Sequence, residues 1–178
     1  MAHLEIAGSW DGAPLRPEER VHLELGLDGG ALEIRVSAPF YRDPAPPAPA
    51  GSFDGLWQWE VVELFLLGED ERYLEIELGP HGHYLVLRLQ GARRLIEKGL
   101  PIEYEVERDA ERWRGLARVP SELLPPAIQG GNAYAIHGSG DARRYLALHP
   151  VPGPEPDFHR LELFRPLGAF GGPSDAIE

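Results

Sequence analysis

Along most of this chain apolar residues recur at every second position, and the 3.6-residue spacing of an amphipathic helix is nearly missing. Two such runs, VHLELGL at 21–27 and ALEIRVS at 31–37, flank Asp28-Gly29-Gly30 and predict a hairpin, with Leu32, Ile34 and Val36 on one face and Glu33 and Arg35 on the other. The stretch APFYRDPAPPAPAG, 38–51, is predicted as a long loop, because proline cannot donate to a strand ladder. Loops of that length in a small domain are often functional. Three strands are predicted within 55–89, and a further hairpin joins PIEYEVE, 101–107, to RWRGLARV, 112–119. In that hairpin Glu103, Glu105 and Glu107 share one face opposite Arg112, Arg114 and Arg118, a cross-strand charge ladder that reads as solvated surface. PSELLPP, 120–126, allows at most one helical turn; NAYAIHG, 132–138, RYLALHP, 144–150, and RLELF, 160–164, read as closing strands. About ten short strands with turn signals between them predict an all-β, antiparallel β-sandwich. A single domain is expected over 1–168, followed by a disordered tail over 169–178.

The strand WEVVELFLL, 59–67, poses the chemical question, because it keeps Glu63 amid apolar neighbours. If Val62, Leu64 and Leu66 pair with Leu74, Ile76 and Leu78 across the turn at Gly68–Arg72, those six face the core. Trp59, Val61, Glu63, Phe65, Tyr73, Glu75 and Glu77 must then share the other face. After the turn Gly79-Pro80-His81-Gly82, the third strand is expected to send Leu85, Leu87 and Leu89 to the core and Tyr84, Val86 and Arg88 to the second face. A solvent face rarely carries so many aromatic and apolar side chains. A sealed core does not carry three carboxylates, since each unpaired buried charge costs several kcal/mol. Two readings remain open. Loops partly cover this face and Arg88 pairs with one glutamate, or the face is a concave platform for a polar ligand. Aromatic plates edged by carboxylates and a guanidinium suit a saccharide, which presents apolar C–H faces rimmed by hydroxyls.

Composition narrows the partners. The 178 residues carry a formal net charge of −12, which disfavours nucleic acid and anionic membrane surfaces. No apolar run approaches the ~20 residues that span a bilayer. The start MAHLEIAGSWDG lacks a basic segment followed by an apolar one, so no signal peptide and a cytoplasmic location are expected. The absence of cysteine excludes disulfides, thiol nucleophiles and thiolate metal sites. Glu63, Glu75 and Glu77 offer the paired carboxyls of a glycosidase, or a calcium site. His81 and His83 in PHGH, and Asp157 and His159 in PDFH, are metal-ligating types, but two ligands in a turn do not make a site. Arg42 and Asp43 stand at the mouth of the proline-rich loop, where an ion pair would pin it, and His137 ends a strand before a glycine-rich turn. Ser139 lacks the strand–turn–helix of a nucleophile elbow, and the glycines of 130–140 show no phosphate-binding fingerprint.

The blocks SWDG (9–12), SAPFYRDP (37–44), LWQWEVVELF (56–65), YLEIELGPHGHYLVL (73–87), AIHGSGDARRYLALHPVP (135–152) and PDFHRLELF (156–164) resemble, in this order, a family of small uncharacterised proteins of bacteria and animals. A second resemblance concerns the fold. Trp57 followed six residues later by Glu63 is similar to the pattern of family 9 carbohydrate-binding modules and of DOMON-like sandwiches. That resemblance implies Trp57 as a plate stacking on a terminal sugar, Glu63 as acceptor of its hydroxyls and Arg88 as a basic partner by position. The modules use a second tryptophan as opposing plate, which Trp10 and Trp113 do not obviously supply. Haem ligation of the DOMON kind needs methionine, and the only one is Met1. The expectation is therefore non-catalytic binding of a small polar ligand, a saccharide first, by Trp57, Glu63, Glu75, Glu77, Tyr84 and Arg88, with Arg42, Asp43 and His137 at the rim. No cofactor is expected beyond structural calcium, which some of the modules carry. An enzyme acting on the same face and a protein-docking module are the alternatives, and the oligomeric state stays open.

Overall fold

The period-2 runs become strands that stack as two sheets, and the computed structural model describes them over residues 1–169. The tail expected from 169 onward thus lies outside the described residues, apart from its first position. In chain order the strands are β1 (Ala2–Ile6), β2 (Gly8–Ser9), β3 (Val21–Asp28), β4 (Ala31–Pro39), β5 (Gly51–Ser52), β6 (Val61–Leu67) and β7 (Arg72–Leu78). They continue with β8 (His83–Gln90), β9 (Leu95–Lys98), β10 (Glu103–Arg108), β11 (Arg112–Pro120), β12 (Gly130–His137) and β13 (Arg144–Ala147). The front sheet has the order β1-β3-β4-β11-β10. The back sheet runs β2-β13-β12-β6-β7-β8-β5, with β9 paired to β8. Among the described residues every pairing is antiparallel except the short parallel contact of β5 with β8. The two-residue turn Gly29-Gly30 joins β3 to β4 with φ of 56° and 82°, which side chains rarely adopt and which match the twist of a hairpin.

Between the sheets lies the main core. Ile6, Leu23, Leu25, Leu32, Ile34, Val36 and Trp113 from the front meet Val62, Leu64, Leu66, Leu74, Ile76, Leu78 and Val86 from the back. The expected pairing of β6 with β7 is observed: Val62 faces Leu78, Leu64 faces Ile76 and Leu66 faces Leu74. The outer face of the back sheet is not open. A second apolar cluster there, of Val61, Phe65, Tyr73, Leu85, Leu87, Tyr134 and Ile136, is roofed by Leu56, Val151 and Phe158 and by the partly buried Phe53, Trp59, Leu161 and Phe164. The roof consists of loop segments, so the back sheet is buried on both sides.

This roof explains two departures from the sequence reading. The third strand sits in the opposite parity: Leu78 pairs with Tyr84, Ile76 with Val86 and Leu74 with Arg88, while Glu77 pairs with Leu85 and Glu75 with Leu87. Directly paired residues share a face, so Tyr84, Val86 and Arg88 join the inter-sheet side, and the three leucines join the glutamates. Alternation alone could not show this, because both faces of the sheet are apolar. Likewise RLELF is no closing strand. Leu161–Leu163 form a 3₁₀ turn, whose Leu161 and Leu163 pack onto the roofed cluster instead of pairing in a ladder.

Candidate functional site

The roof leaves an opening beside Trp57. Gly55, at φ 82°, turns the chain into the 3₁₀ turn Leu56–Gln58. Leu56 is drawn fully into the roofed cluster, and Trp57 is left 42% exposed at the mouth of a cavity of about 360 Å³. The cavity is lined by Trp57 together with Glu63 and Glu75 from the sheet, Tyr145 from β13, and Phe158 and His159 from the roof. Leu87, Leu89, Leu95, Ile136, Pro156 and Arg93 complete the wall. Phe158 is held flat against Tyr134, ring centroids 3.8 Å apart, and Tyr145 meets its edge at 6.1 Å. Arg143 fixes the position of Trp57. Its guanidinium donates to the carbonyls of Trp57, Gln58 (3.1 Å) and Gly138 (3.3 Å) and to the Tyr145 hydroxyl (3.0 Å), and it lies 5.4 Å over the Tyr145 ring.

Strand geometry assembles the acidic floor. Glu63 on β6 is directly paired with Glu77 on β7, and Glu75 lies two residues before Glu77 on the same face. All three are buried, and one carboxylate oxygen from each lies within 4.8 Å of the others. Among the described residues no hydrogen bond of ordinary geometry reaches Glu63 Oε1, Glu75 Oε2 or either oxygen of Glu77. Burial, followed by the charge of Glu75, raises the Glu63 carboxyl well above the usual carboxylate range, against the weaker pull of Arg143. Burial, then the charges of Glu63 and Glu75, do the same to Glu77, against the weaker pull of the Trp57 amide. Glu75 is pushed up to about 7 by burial, opposed by its contact with Glu77 and by the charge of Arg93. His159 stands beside Glu75, its Nε2 3.8 Å from Oε2, and its Nδ1 shares a 2.7 Å hydrogen bond with the Tyr73 hydroxyl. Burial brings this imidazole down to about 4, so it is neutral near pH 7.

The remaining predicted residues lie elsewhere. Arg88 does not reach the glutamates: on the inter-sheet side it pairs with Glu97 at 2.8 Å. Tyr84 packs edge-on against Tyr104, centroids 6.4 Å apart. Arg42, Asp43 and His137 lie apart from the cavity, at the foot of the proline-rich loop. Arg42 donates to the Ala110 carbonyl rather than to Asp43, so the expected ion pair is absent among the described residues. Asp43 Oδ2 accepts from the Gly138 amide at 2.6 Å, and the His137 ring stacks on Tyr41 at 3.5 Å. Buried Glu60 accepts the amides of Tyr41 and Asp43 at 3.0 and 3.2 Å, and burial raises its carboxyl to about 7. His81 and His83 bond to the carbonyls of Asp43 and Ala48, anchoring the loop. Sequence reasoning missed Arg143, Tyr145 and Phe158 as neighbours of Trp57; the blocks containing them were visible, their convergence was not.

A slightly larger groove, about 400 Å³, crosses the outer face of the front sheet along the expected charge ladder. Glu105, Glu107, Arg35 and Arg114 line it without any aromatic plate, as solvated surface would.

No family model matches the chain. Among curated proteins it is 43% identical over 173 residues to the mouse UPF0462 protein C4orf33 homolog, covering 92% of this chain and 90% of that protein. It is 43% identical over 173 residues to human UPF0462 protein C4orf33, covering 91% and 85%. Its fold matches a solved protein of Bacteroides uniformis, named "a putative carbohydrate-binding protein", with a TM-score of 0.72 at 18% identity over 92% of this chain and 84% of that one. It also matches a family 9 carbohydrate-binding module of Caldicellulosiruptor kristjanssonii, solved with cellotriose, with a TM-score of 0.54 at 15% identity over 89% and 78%. At such identities the likeness is one of fold: this is a β-sandwich of the family 9 module kind.

Proposed function

The chain belongs to the uncharacterised UPF0462 (C4orf33) family, and from that premise we propose that it binds a small saccharide, without turning it over, in the cavity between Trp57 and the Glu63–Glu75 floor. The observation that carries this reading is the indole of Trp57. It is held by Arg143 through its own carbonyl, yet its side chain is left bare at the mouth of a cavity floored by carboxyls. A sugar ring offers an apolar C–H face to such an indole and hydroxyls to the floor. Tyr145 and Phe158 supply the second aromatic wall in place of a second tryptophan. Trp113 is sealed in the inter-sheet core, and Trp10 packs against the roofed cluster. Two fold neighbours whose names refer to carbohydrate support the choice of ligand class. A volume of about 360 Å³ suits one ring, or two partly inserted, at the small end of ligand pockets.

The test is a calorimetric screen of mono- and disaccharides, glucose and cellobiose included, followed by intrinsic tryptophan fluorescence. At least one sugar is expected to bind with one-to-one stoichiometry and to shift the emission. A panel with no heat and no spectral change at millimolar concentration would end the saccharide reading.

A further inference from the structure

Burying three carboxylates side by side, with like charges directly paired across two strands, is unfavourable unless something neutralises them. Among the described residues no lysine or arginine makes an ion pair with Glu63, Glu75 or Glu77, and His159 stands 3.8 Å off, beyond hydrogen-bond reach. Glu77 is the telling residue: it has no accessible surface, it is paired directly across from Glu63, which lines the cavity, and among the described residues neither of its oxygens receives a well-formed hydrogen bond, the Trp57 amide pulling on it only weakly. A buried carboxylate so poorly satisfied normally marks a missing partner. Three oxygens within 4.8 Å of one another lie within about 2.8 Å of a common point, against 2.3–2.6 Å for calcium–oxygen bonds. Small side-chain rotations would close that difference without moving the strands.

We infer that Glu63, Glu75 and Glu77 hold one divalent cation of the oxygen-preferring class, calcium first, in the floor of the cavity. The donor set is all carboxylate, which selects calcium, magnesium or manganese over softer metals. Three glutamates can offer up to six oxygens, which fits the high coordination number and loose geometry of calcium better than the strict octahedron of magnesium. The cavity side leaves room for water to complete the shell. A divalent ion reduces the floor to one net negative charge, and Arg143 and Arg93 act on that residue of charge from the rim. The inference stands apart from the saccharide reading, since it needs no sugar.

The experiment uses the full chain, stripped with chelator and titrated with CaCl₂, MgCl₂ and MnCl₂ by calorimetry and by thermal unfolding, with no sugar present. Calcium is expected to bind one ion per chain. At a free concentration a hundred times Kd it should raise the midpoint by about 5–10 °C. Terbium should replace it and luminesce on excitation of the nearby aromatic residues. Glu77→Gln should weaken calcium binding at least a hundredfold, and Glu63→Gln serves as a second variant should the first not fold. The inference is overturned if none of the three ions binds, in which case the carboxyls share protons, or if the folded variant binds calcium as the parent does.

Discussion

Replacing Trp57 with alanine separates the binding role of this side chain from any structural one. Trp57 is 42% exposed and belongs to neither apolar cluster. Applied to a side chain of about 250 Å², that fraction leaves about 100 Å² of indole bare. Covering this area with a sugar ring, at about 25 cal/mol per Å², is worth about 2.5 kcal/mol, or about 70-fold in Kd. Trp57→Ala should therefore weaken the best sugar of the screen by that factor in calorimetry and abolish the ligand-induced change in emission. The unfolding midpoint should move by only a few degrees. Trp113→Ala is the control: that indole is 1% exposed in the inter-sheet core, and its loss should cost about 3–5 kcal/mol of stability. A Trp57→Ala protein that binds the sugar within threefold of the parent refutes the stacking argument. One that unfolds as readily as Trp113→Ala shows that Trp57 is part of the packing.

Arg143→Lys keeps the charge but cannot reach three carbonyls and a hydroxyl at once; a loss of about tenfold in sugar affinity is expected by calorimetry, with circular dichroism unchanged. Gly131→Ala places a methyl group 2.0 Å from the Phe65 carbonyl oxygen and 2.8 Å from the Leu167 side chain, so β12 must separate from β6. A loss of more than about 3 kcal/mol by urea unfolding is expected, where an ordinary core overpacking costs 1–3. Burial lowers His137 to about 4 from the ordinary 6.5, so the folded protein holds fewer protons than the unfolded chain between those values. The stability this group contributes is complete above pH 6.5 and is lost as the pH falls toward 4, by up to about 3 kcal/mol. The midpoint of the parent should fall relative to that of His137→Gln across that window. Glu60, raised to about 7, acts in the opposite sense: its ionisation removes stability as the pH rises from about 4.5 to 7, and Glu60→Gln should lose that dependence.

The sandwich and the face of Glu63 were readable because β6 and β7 alternate cleanly and a short turn joins them, so one parity fixes both strands. The next strand defeated the same logic. Leu85, Leu87 and Leu89 are as apolar as any core residue, and only the roof of loops, invisible to periodicity, explains why they stand beside carboxylates. Arg88 was misplaced for that reason alone. Trp57 stood out through its spacing to Glu63, whereas Tyr145 read as an ordinary strand residue and Phe158 as a loop residue. Their approach to Trp57 depends on the docking of a segment some hundred positions further along, which no local pattern encodes.

That separation has a kinetic consequence. The turn carrying Trp57, the glutamates of β6 and β7, and the aromatic wall at Phe158 come from stretches that meet only when the roof closes over the back sheet. Contacts between such distant positions form slowly, since a long loop must close before they return any energy. Competence to capture a ligand should consequently emerge last during refolding, after the sheets have paired, and stopped-flow emission from Trp57 should lag behind that from Trp113.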